Sequence, residues 1–199
     1  MTPDLVDRLT AALGQPPAPG SSDFDLNPDS PRPSGVSLRP AGVLAPIVWR
    51  RDRFELLLTK RSSALKHHPG QIAFPGGKQD AGDATPIDAA LREAQEEIGL
   101  PRSQVQVLGV LPDHETVTGF CVTPVVGLVQ GGFAIRPEPG EVEEVFHVPL
   151  DHVLNPANFA IQSRRWRGQM RSYFTVPFGP YYIWGATARI LRALGDRMP

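Results

Sequence analysis

The stretch GGKQDAGDATPIDAALREAQEEIGL, from Gly76 to Leu100, decides how the rest of this 199-residue chain is interpreted. It ends in three carboxylates, Glu93, Glu96 and Glu97, on one predicted helix. Side chains three and four positions apart are neighbours on a helix, so these carboxylates repel one another unless a positive charge lies between them. Oxygen ligands of this kind suit a hard divalent cation such as Mg2+. The stretch therefore predicts a metal site built on a helix.

Both ends of this helix are marked in the sequence. Thr85 is predicted as the N-cap, Pro86 takes the first helical position, and Asp88 occupies the capping-box position where Glu is more usual. Gly99 is a suitable C-terminal stop. The apolar residues at helical spacing, which form the predicted buried stripe, are Ile87, Ala90, Leu91, Ala94 and Ile98.

Segments on both sides of this helix have the composition of strands and helices. The predicted strands are Gly42–Trp49, Phe54–Lys60, Gln71–Phe74, Gln104–Leu111, Val122–Val129, Val142–Val148 and, more weakly, Tyr173–Val176. Further helices are predicted at Pro3–Leu13 and Ala186–Leu194. This order predicts an α/β (α+β) fold in which a mixed β-sheet is sandwiched between helices.

The chain is predicted to divide at residue 40. Residues 1–40 comprise the helix Pro3–Leu13 and a connector, Gly14–Pro40, rich in Pro, Gly, Ser and Asp, and residues 41–199 form the folded domain. The connector composition predicts an extended or partly mobile segment on the surface, because it offers little to bury in a core. Such a connector would let the helix reach a second subunit, which makes a homodimer a candidate assembly.

Composition excludes several classes of partner. The 20 basic and 21 acidic residues nearly balance, so no global basic excess points to nucleic acid. No apolar run is long enough to cross a bilayer, and the N-terminus lacks the features of a signal peptide. Cys121 is the only cysteine, which excludes an internal disulfide and suits a reducing compartment. We therefore expect a cytoplasmic protein that acts on a small molecule, without nucleic-acid or membrane partners.

The segment Gly77–Leu100 resembles the Nudix box, G-x5-E-x7-R-E-U-x-E-E-x-G-U, in which U is a bulky aliphatic residue. The second half of the box is matched by Arg92, Glu93, Glu96, Glu97, Gly99 and Leu100, with a small Ala94 at one U position. The first half departs, because Asp83 stands where Glu is usual and eight residues rather than seven separate it from Arg92. The family consists of hydrolases of a diphosphate linked to another moiety. The resemblance implies the Nudix fold, this activity, and Mg2+ or Mn2+ as the cofactor.

A second pattern lies immediately upstream. The residues Leu57–Ser62, Lys66, Gly70 and Phe74–Gly77 are similar to the signature of the coenzyme A subfamily, L-L-T-x-R-S-x3-R-x3-G-x3-F-P-G-G. Every fixed position matches except Lys66, where Arg is expected, so the charge is kept but the bidentate fork is not. The resemblance implies a coenzyme A diphosphatase that produces phosphopantetheine and adenosine 3′,5′-bisphosphate.

The resemblance also implies roles for the residues of the box. Glu93 and Glu97, one helical turn apart, are the expected metal ligands, and Glu96 is expected to bind a second ion or to act as the base on water. Arg92 is expected to orient the glutamates through an ion pair, with Glu96 at i+4 as one partner. Gly77 is expected to present its backbone carbonyl to the metal.

The general base has a further candidate position outside the box. Nudix enzymes often bring another acid from a separate loop, and Glu141 and Glu144 lie in such a position before a predicted strand. The sequence leaves open which of these, or Glu96, accepts the proton.

Substrate recognition is expected from the upstream motif. Arg61, Ser62 and Lys66 form a donor-rich loop suited to a phosphate, and Gly76 permits close approach of the backbone. Polar residues outside the motifs are interpreted more simply. The pair His67–His68 and the basic run Arg164–Arg167 are interpreted as exposed loops, with contact of the basic run to a phosphate-bearing substrate as an alternative. Trp166 and Trp184 are interpreted as packing residues.

Two other functions stay open. A Nudix hydrolase of another nucleoside diphosphate derivative, such as ADP-ribose or a dinucleotide, would keep the glutamates without needing the Arg61–Gly70 motif. A non-catalytic Nudix-like domain that senses a ligand typically loses glutamates from the box. All three glutamates are present here, which favours an enzyme.

Overall fold

A mixed β-sheet carries the candidate site, in a computed structural model that describes residues 3–16, 18–30, 35, 37–166 and 168–198. The strands are β1 (Ser21–Ser22), β2 (Arg39–Arg50), β3 (Arg53–Arg61), β4 (Ile72–Ala73), β5 (Gly76–Lys78), β6 (Val105–Val110), β7 (His114–Glu115), β8 (Phe120–Val129), β9 (Val142–Pro149), β10 (Ala160–Trp166) and β11 (Gln169–Thr175). The α-helices are α1 (Pro3–Leu13), α2 (Pro86–Ile98), α3 (Leu150–Leu154) and α4 (Gly185–Arg197). None of the described helices combines the length and the apolar character that a membrane crossing requires.

Strand β2 is the hub of the sheet. It runs parallel to β8 and antiparallel to β3 and β5. The main path of paired strands is β1-β7-β8-β2-β3-β4, with β6 joined to β8 and β9 joined to β3. Because parallel and antiparallel pairs meet on β2, the predicted mixed sheet is confirmed.

Helices cover both faces of this sheet. On one face, α2 packs Ala90, Ala94 and Ile98 against strand residues that include Leu44 and Val125. The other face is covered by α3 and α4. Their buried residues in the larger core are Leu150, Val153, Ala188, Ile190, Leu191 and Leu194. The prediction of a sheet sandwiched between helices is therefore confirmed.

The ends of α2 follow the local sequence. The hydroxyl of Thr85 accepts from the backbone N–H of Asp88 at 3.2 Å, and the Asp88 carboxylate accepts from the backbone N–H of Thr85 at 3.1 Å. Pro86 is the first helical residue, and Gly99 ends the helix in the left-handed conformation at φ 73°. Local chemistry thus determines where α2 begins and ends.

The hairpin β10–β11 is largely absent from the sequence-based predictions, which placed only a weak strand at Tyr173–Val176. Strand β10 is exposed along almost its whole length, so it lacks the alternating apolar residues by which strands are recognised. Its pairing runs from Ala160 opposite Thr175 to Trp166 opposite Gln169. The hairpin matters because it forms one wall of the cavity described below.

Helix α1 packs on its own chain. Leu9 is fully buried in the larger core, and Arg197 of α4 donates to the carbonyl oxygen of Ala12 at 3.0 Å. The apolar face of α1 is thus covered within the chain. The homodimer stays a prediction.

The middle of the connector predicted at Gly14–Pro40 is paired and partly buried, which differs from the expected surface segment. Ser21–Ser22 pairs in parallel with His114–Glu115, and the ring of Phe24 is buried. The expectation of a surface segment is therefore wrong for Ser22, Phe24 and Asn27, which are buried. Residues 17, 31–34 and 36 lie outside the described part of the chain, and the division at residue 40 stays a prediction.

Hydrogen bonds hold this polar segment. The side-chain amide of Asn27 bonds both backbone groups of Ser172, at 2.9 and 2.8 Å. The carboxylate of Asp23 accepts from the backbone N–H of Val117 at 2.9 Å and lies 3.3 Å from Nε2 of the buried His114. Burial raises the pKa of Asp23, but the interactions with His114 and Val117 outweigh this effect, so the pKa lies below its usual value.

We expect Asp23→Ala to lower the free energy of unfolding at pH 7 by about 1–3 kcal/mol, because a partly buried acceptor of two hydrogen bonds is lost. Urea unfolding measures this difference. Since folding lowers the pKa of Asp23, its contribution is present above about pH 4 and is lost as the pH falls through the lower folded value. The control Asp29→Ala removes an exposed carboxylate of the same segment. Equal unfolding free energies of the two variants at pH 7 would contradict the prediction.

Candidate metal centre and substrate cavity

Strand β5 brings two glycines against the glutamates of α2. The backbone N–H of Gly76 donates to Oε2 of Glu97 at 3.0 Å. A Cβ at Gly77 would lie 2.6 Å from the carboxyl carbon of Glu93, and a Cβ at Gly76 would lie 2.5 Å from the carbonyl oxygen of Gly42. Heavy atoms do not approach this closely, so glycine is needed at position 76 for β5 to pair with β2, and a side chain at position 77 would displace the Glu93 carboxylate.

Three carboxylates meet beside these glycines. Oxygens of Glu93, Glu97 and Glu141 lie within 4.8 Å of one another, and we call these residues the carboxylate cluster. The Glu97 residue is only 3% exposed, whereas Glu141 is exposed in the loop before β9. The structure thus brings together both predicted helical ligands and one of the two predicted loop acids.

The other predicted acids lie elsewhere. Glu144, on β9, accepts a hydrogen bond from the hydroxyl of Tyr181. The Glu96 side chain is 59% exposed and accepts from Nη1 of Arg92 at 2.9 Å. Among the described residues, neither acid belongs to the carboxylate cluster. The roles proposed for Glu96 and Glu144 stay predictions.

The carboxylate cluster disfavours its own negative charge. Burial raises the pKa of Glu97 to about 8 against the hydrogen bond from Gly76, and the charge of Glu93 adds to the rise. Burial also raises the pKa of Glu93, against the effect of the Arg92 guanidinium. Carboxyl groups that crowd together in a buried site are stabilised in their charged form by a hard cation with oxygen ligands. The residues present therefore fit Mg2+ or Mn2+.

Arg92 is the cation that binds the exposed side of this acidic helix. Its guanidinium donates to Asp83 from Nε at 3.1 Å and from Nη2 at 2.8 Å. Nη1 donates to both Glu93 and Glu96 at 2.9 Å. Nη2 also donates to the carbonyl oxygen of Lys78 at 3.2 Å. Arg92 therefore contacts the expected i+4 partner and two further carboxylates.

Asp83 keeps its contact with Arg92 despite the extra residue in the intervening loop. Its side chain is buried, and the backbone N–H of Asp80 donates to it at 2.9 Å. The hydrogen bonds from Arg92 and from the backbone of Asp80 lower the pKa of Asp83. In the sequence, Asp83 is recognised by its place at the first acidic position of the box. The loop before α2 is one residue longer, and it accommodates the changed spacing.

We expect Asp83→Asn to reduce kcat by about ten- to a hundredfold, because Arg92 loses the carboxylate that anchors it beside Glu93. The KM for the diphosphate substrate should stay unchanged, and the Mg2+ concentration for half-maximal rate should rise. Steady-state kinetics across a Mg2+ titration measures all three quantities. The control Asp80→Asn alters an exposed carboxylate 3.8 Å from Arg92. Similar losses in both variants would indicate that net charge, rather than the anchoring contact, is responsible.

A cavity of about 370 Å3 opens beside Gly76 and Gly77. Its volume suits a small-molecule ligand. The aromatic and basic residues of its wall include Arg61, Phe74, Phe120, Arg164, Trp166, Arg171, Tyr173 and Trp184. Half of these belong to the hairpin β10–β11. In the sequence, the hairpin residues of this wall are indicated only by the basic and aromatic run that begins at Arg164. Contact of that run with a substrate was the alternative interpretation.

The residues predicted to bind substrate separate into distinct environments. Arg61 lines the cavity, as do Gly76 and Gly77. Ser62 is buried, its backbone N–H donates to the carbonyl oxygen of Glu141 at 2.8 Å, and its hydroxyl accepts from a backbone N–H two residues on. Lys66 is exposed. It lines neither this cavity nor the larger one that adjoins it. Its contact with substrate stays a prediction.

A second cavity, of about 690 Å3, adjoins the first. The residues common to both walls are His68, Gln71, Arg164 and Trp184. The second cavity also includes Lys60 and Glu144. His68, interpreted from the sequence as part of an ordinary exposed loop, thus lies where the two cavities meet.

Comparisons with known proteins agree with this geometry. The model of the NUDIX domain family matches residues 38–168. A protein of Citrobacter koseri described as "Uncharacterized Nudix hydrolase NudL" is 45% identical over 166 residues, covering 82% of this chain and 86% of the relative. Its counterpart in Klebsiella pneumoniae is 44% identical over 173 residues, covering 87% and 90%. The crystal structure of RenU, a Nudix hydrolase from M. smegmatis, superposes with a TM-score of 0.50 at 24% identity, covering 61% of this chain and 83% of that one, and shows the shared fold. From the family match and these relatives, the chain belongs to the NUDIX domain family.

Proposed function

We propose that this Nudix hydrolase cleaves the central diphosphate of coenzyme A, or of its derivatives, into phosphopantetheine and adenosine 3′,5′-bisphosphate. The proposal rests on the path of residues 57–77 through the structure. These residues are the ones that resemble the coenzyme A motif. The segment follows β3, crosses a loop and returns along β4 to β5, so that Arg61 and Gly76–Gly77 line the cavity next to the carboxylate cluster. The motif for substrate choice therefore lines a cavity whose glycines touch the carboxylates of the motif for hydrolysis.

The carboxylate cluster supports a site for Mg2+ or Mn2+. Glu93 and Glu97 would hold the ion, with the carbonyl of Gly77 as a further oxygen donor, and Glu141 would lie beside it. When bound, such an ion neutralises charge on a diphosphate and lowers the pKa of the attacking water. Arg92 holds Glu93 in place from the exposed side.

Glu141 is the strongest candidate for the loop acid that receives the proton of the attacking water. It is the exposed member of the carboxylate cluster, whereas Glu144 bonds Tyr181 and Glu96 bonds Arg92. A carboxylate at this position accepts a proton as the oxygen attacks phosphorus, provided that it lies within reach of the water.

Arg61 is suited to hold the diphosphate. Its Nη1 lies 4.0 Å from Oε1 of Glu97, and its buried Nε has no hydrogen-bond partner among the described residues. A buried donor without a partner costs free energy, and a phosphate oxygen would satisfy it. Ser62 connects this loop to the backbone of Glu141, so the diphosphate and the candidate base are held by neighbouring backbone segments.

The proposal is tested by separating reaction products chromatographically after incubation with Mg2+. Coenzyme A, ADP-ribose and a reduced nicotinamide dinucleotide are supplied in parallel. We expect adenosine 3′,5′-bisphosphate and phosphopantetheine from coenzyme A at the highest kcat/KM. Preference for ADP-ribose or the dinucleotide would retain a metal-assisted hydrolase and overturn the coenzyme A assignment. Absence of turnover with both Mg2+ and Mn2+ would favour the ligand-sensor alternative.

We expect Glu97→Gln to reduce kcat/KM by at least about a hundredfold with Mg2+, because a neutral amide cannot balance the charge of the ion. Calorimetric titration with Mn2+ should show weaker binding. In metal-free buffer the variant should melt no lower than the wild type, because a neutral amide replaces a carboxyl group whose charged form is disfavoured by burial. The control Glu138→Gln changes an exposed acid outside the carboxylate cluster. Normal activity of Glu97→Gln would contradict the metal assignment.

Two matched variants distinguish the candidate loop acids. Glu141→Gln should lower kcat by about a hundredfold, within the range for loss of a general base. Glu144→Gln should have a small effect, because the amide oxygen still accepts from Tyr181. Rates at saturating Mg2+ and substrate provide the comparison. Mild effects of both substitutions would assign the base to Glu96.

A further inference from the structure

Arg164 lies at the junction of the two cavities. It projects from β10, and its guanidinium carbon is 4.1 Å from the ring centroid of Trp184, which precedes α4. Both residues belong to the walls of both cavities, together with His68 and Gln71. The stacked pair is therefore accessible from the cavity that holds Gly76 and from the larger one beside it.

The ring beneath Arg164 is held in place by neighbouring aromatic residues. Tyr173 meets Trp184 edge to face, with ring centroids 5.1 Å apart. The hydroxyl of Tyr173 lies 3.4 Å from that of Tyr182, and Tyr182 donates to Gln162 at 2.7 Å. Residues from β10, β11 and the segment before α4 thus fix the surface on which the guanidinium lies.

The charge of Arg164 is not balanced by a carboxylate among the described residues. The other arginine of the hairpin differs, because Arg171 donates to the carbonyl oxygen of Asp23 and lowers the pKa of that residue through its charge. Glu144 lines the larger cavity with Arg164, but its carboxylate accepts from Tyr181. A guanidinium stacked on an aromatic face retains in-plane N–H donors that match two oxygens of a phosphate.

We propose that Arg164 binds a phosphate monoester of the substrate that is separate from the diphosphate being cleaved. This inference rests on the proposed function, in which Arg61 and the carboxylate cluster act on the diphosphate. Arg164 lines the same cavity but belongs to a different element, so it is placed for a second anionic group of one ligand. In coenzyme A that group is the phosphate on the ribose.

The test compares coenzyme A with dephospho-coenzyme A, which has the same diphosphate but no ribose phosphate. Arg164→Gln should raise the KM for coenzyme A by about ten- to a hundredfold, the effect of losing charged hydrogen bonds. The KM for dephospho-coenzyme A should not change. The KM of Arg164→Lys for coenzyme A should lie between those of the wild type and Arg164→Gln, because lysine keeps the charge but lacks the bidentate guanidinium. The control Arg165→Gln removes the same charge from the adjacent residue, which lines neither cavity.

An equal rise of KM for both substrates would overturn the proposal, since Arg164 would then act on a group that they share. An unchanged KM for both, or the same effect from Arg165→Gln, would overturn it as well. Calorimetric titration of the wild type and of Arg164→Gln with adenosine 3′,5′-bisphosphate and with AMP tests the inference separately from the proposed function. It measures binding and does not require hydrolysis. If the wild type hydrolyses neither coenzyme, the proposed function fails. The inference then stands if Arg164→Gln abolishes a preference for the bisphosphate, and fails if the wild type binds both nucleotides equally.

Discussion

The close contact between helix α2 and strand β5 is the constraint on which the candidate site depends. The backbone N–H of Gly76 donates to Glu97, and a Cβ on Gly77 would lie 2.6 Å from the carboxyl carbon of Glu93. At the other end of the helix, a Cβ on Gly42 would lie 1.8 Å from the carbonyl oxygen of Pro86. The backbone of α2 therefore lies directly on the sheet, and this packing positions its glutamates.

This arrangement divides the acidic side chains into two electrostatic environments. On the exposed side, a single guanidinium from Arg92 binds Asp83, Glu93 and Glu96. On the buried side, Glu97 receives one backbone N–H, and the nearest guanidinium group, that of Arg61, is 4.0 Å away. The carboxylates around Arg92 therefore share one guanidinium at hydrogen-bonding distance, whereas Glu97 has no cation that close in the described part of the chain. Burial raises the pKa of Glu97, and the charge of Glu93 adds to the rise, so an ion at the carboxylate cluster would supply positive charge where the protein supplies little.

The substrate cavity is assembled from pieces that are distant in the chain. The loop and strands that follow β3 form one part, the hairpin β10–β11 forms another, and the N-terminal segment around Asp23 closes a third. Asn27 bonds the backbone of Ser172 on the hairpin, so the N-terminal segment also supports that wall. The segment that composition predicts to be a surface connector thus contributes to the shape of the cavity through hydrogen bonds.

The sequence by itself determined the limits of α2, because its caps and buried stripe act over a few residues, and it identified the acids of that helix and the Nudix resemblance. It also predicted the mixed sheet, since the buried strands are apolar. Only the tertiary structure decided that Glu141, rather than Glu144, joins Glu93 and Glu97. It also decided that the exposed hairpin carries Arg164 to the cavity. Both results depend on strand register and on pairing between distant segments, and polar residues whose partners are far away in the chain leave no local periodicity to read.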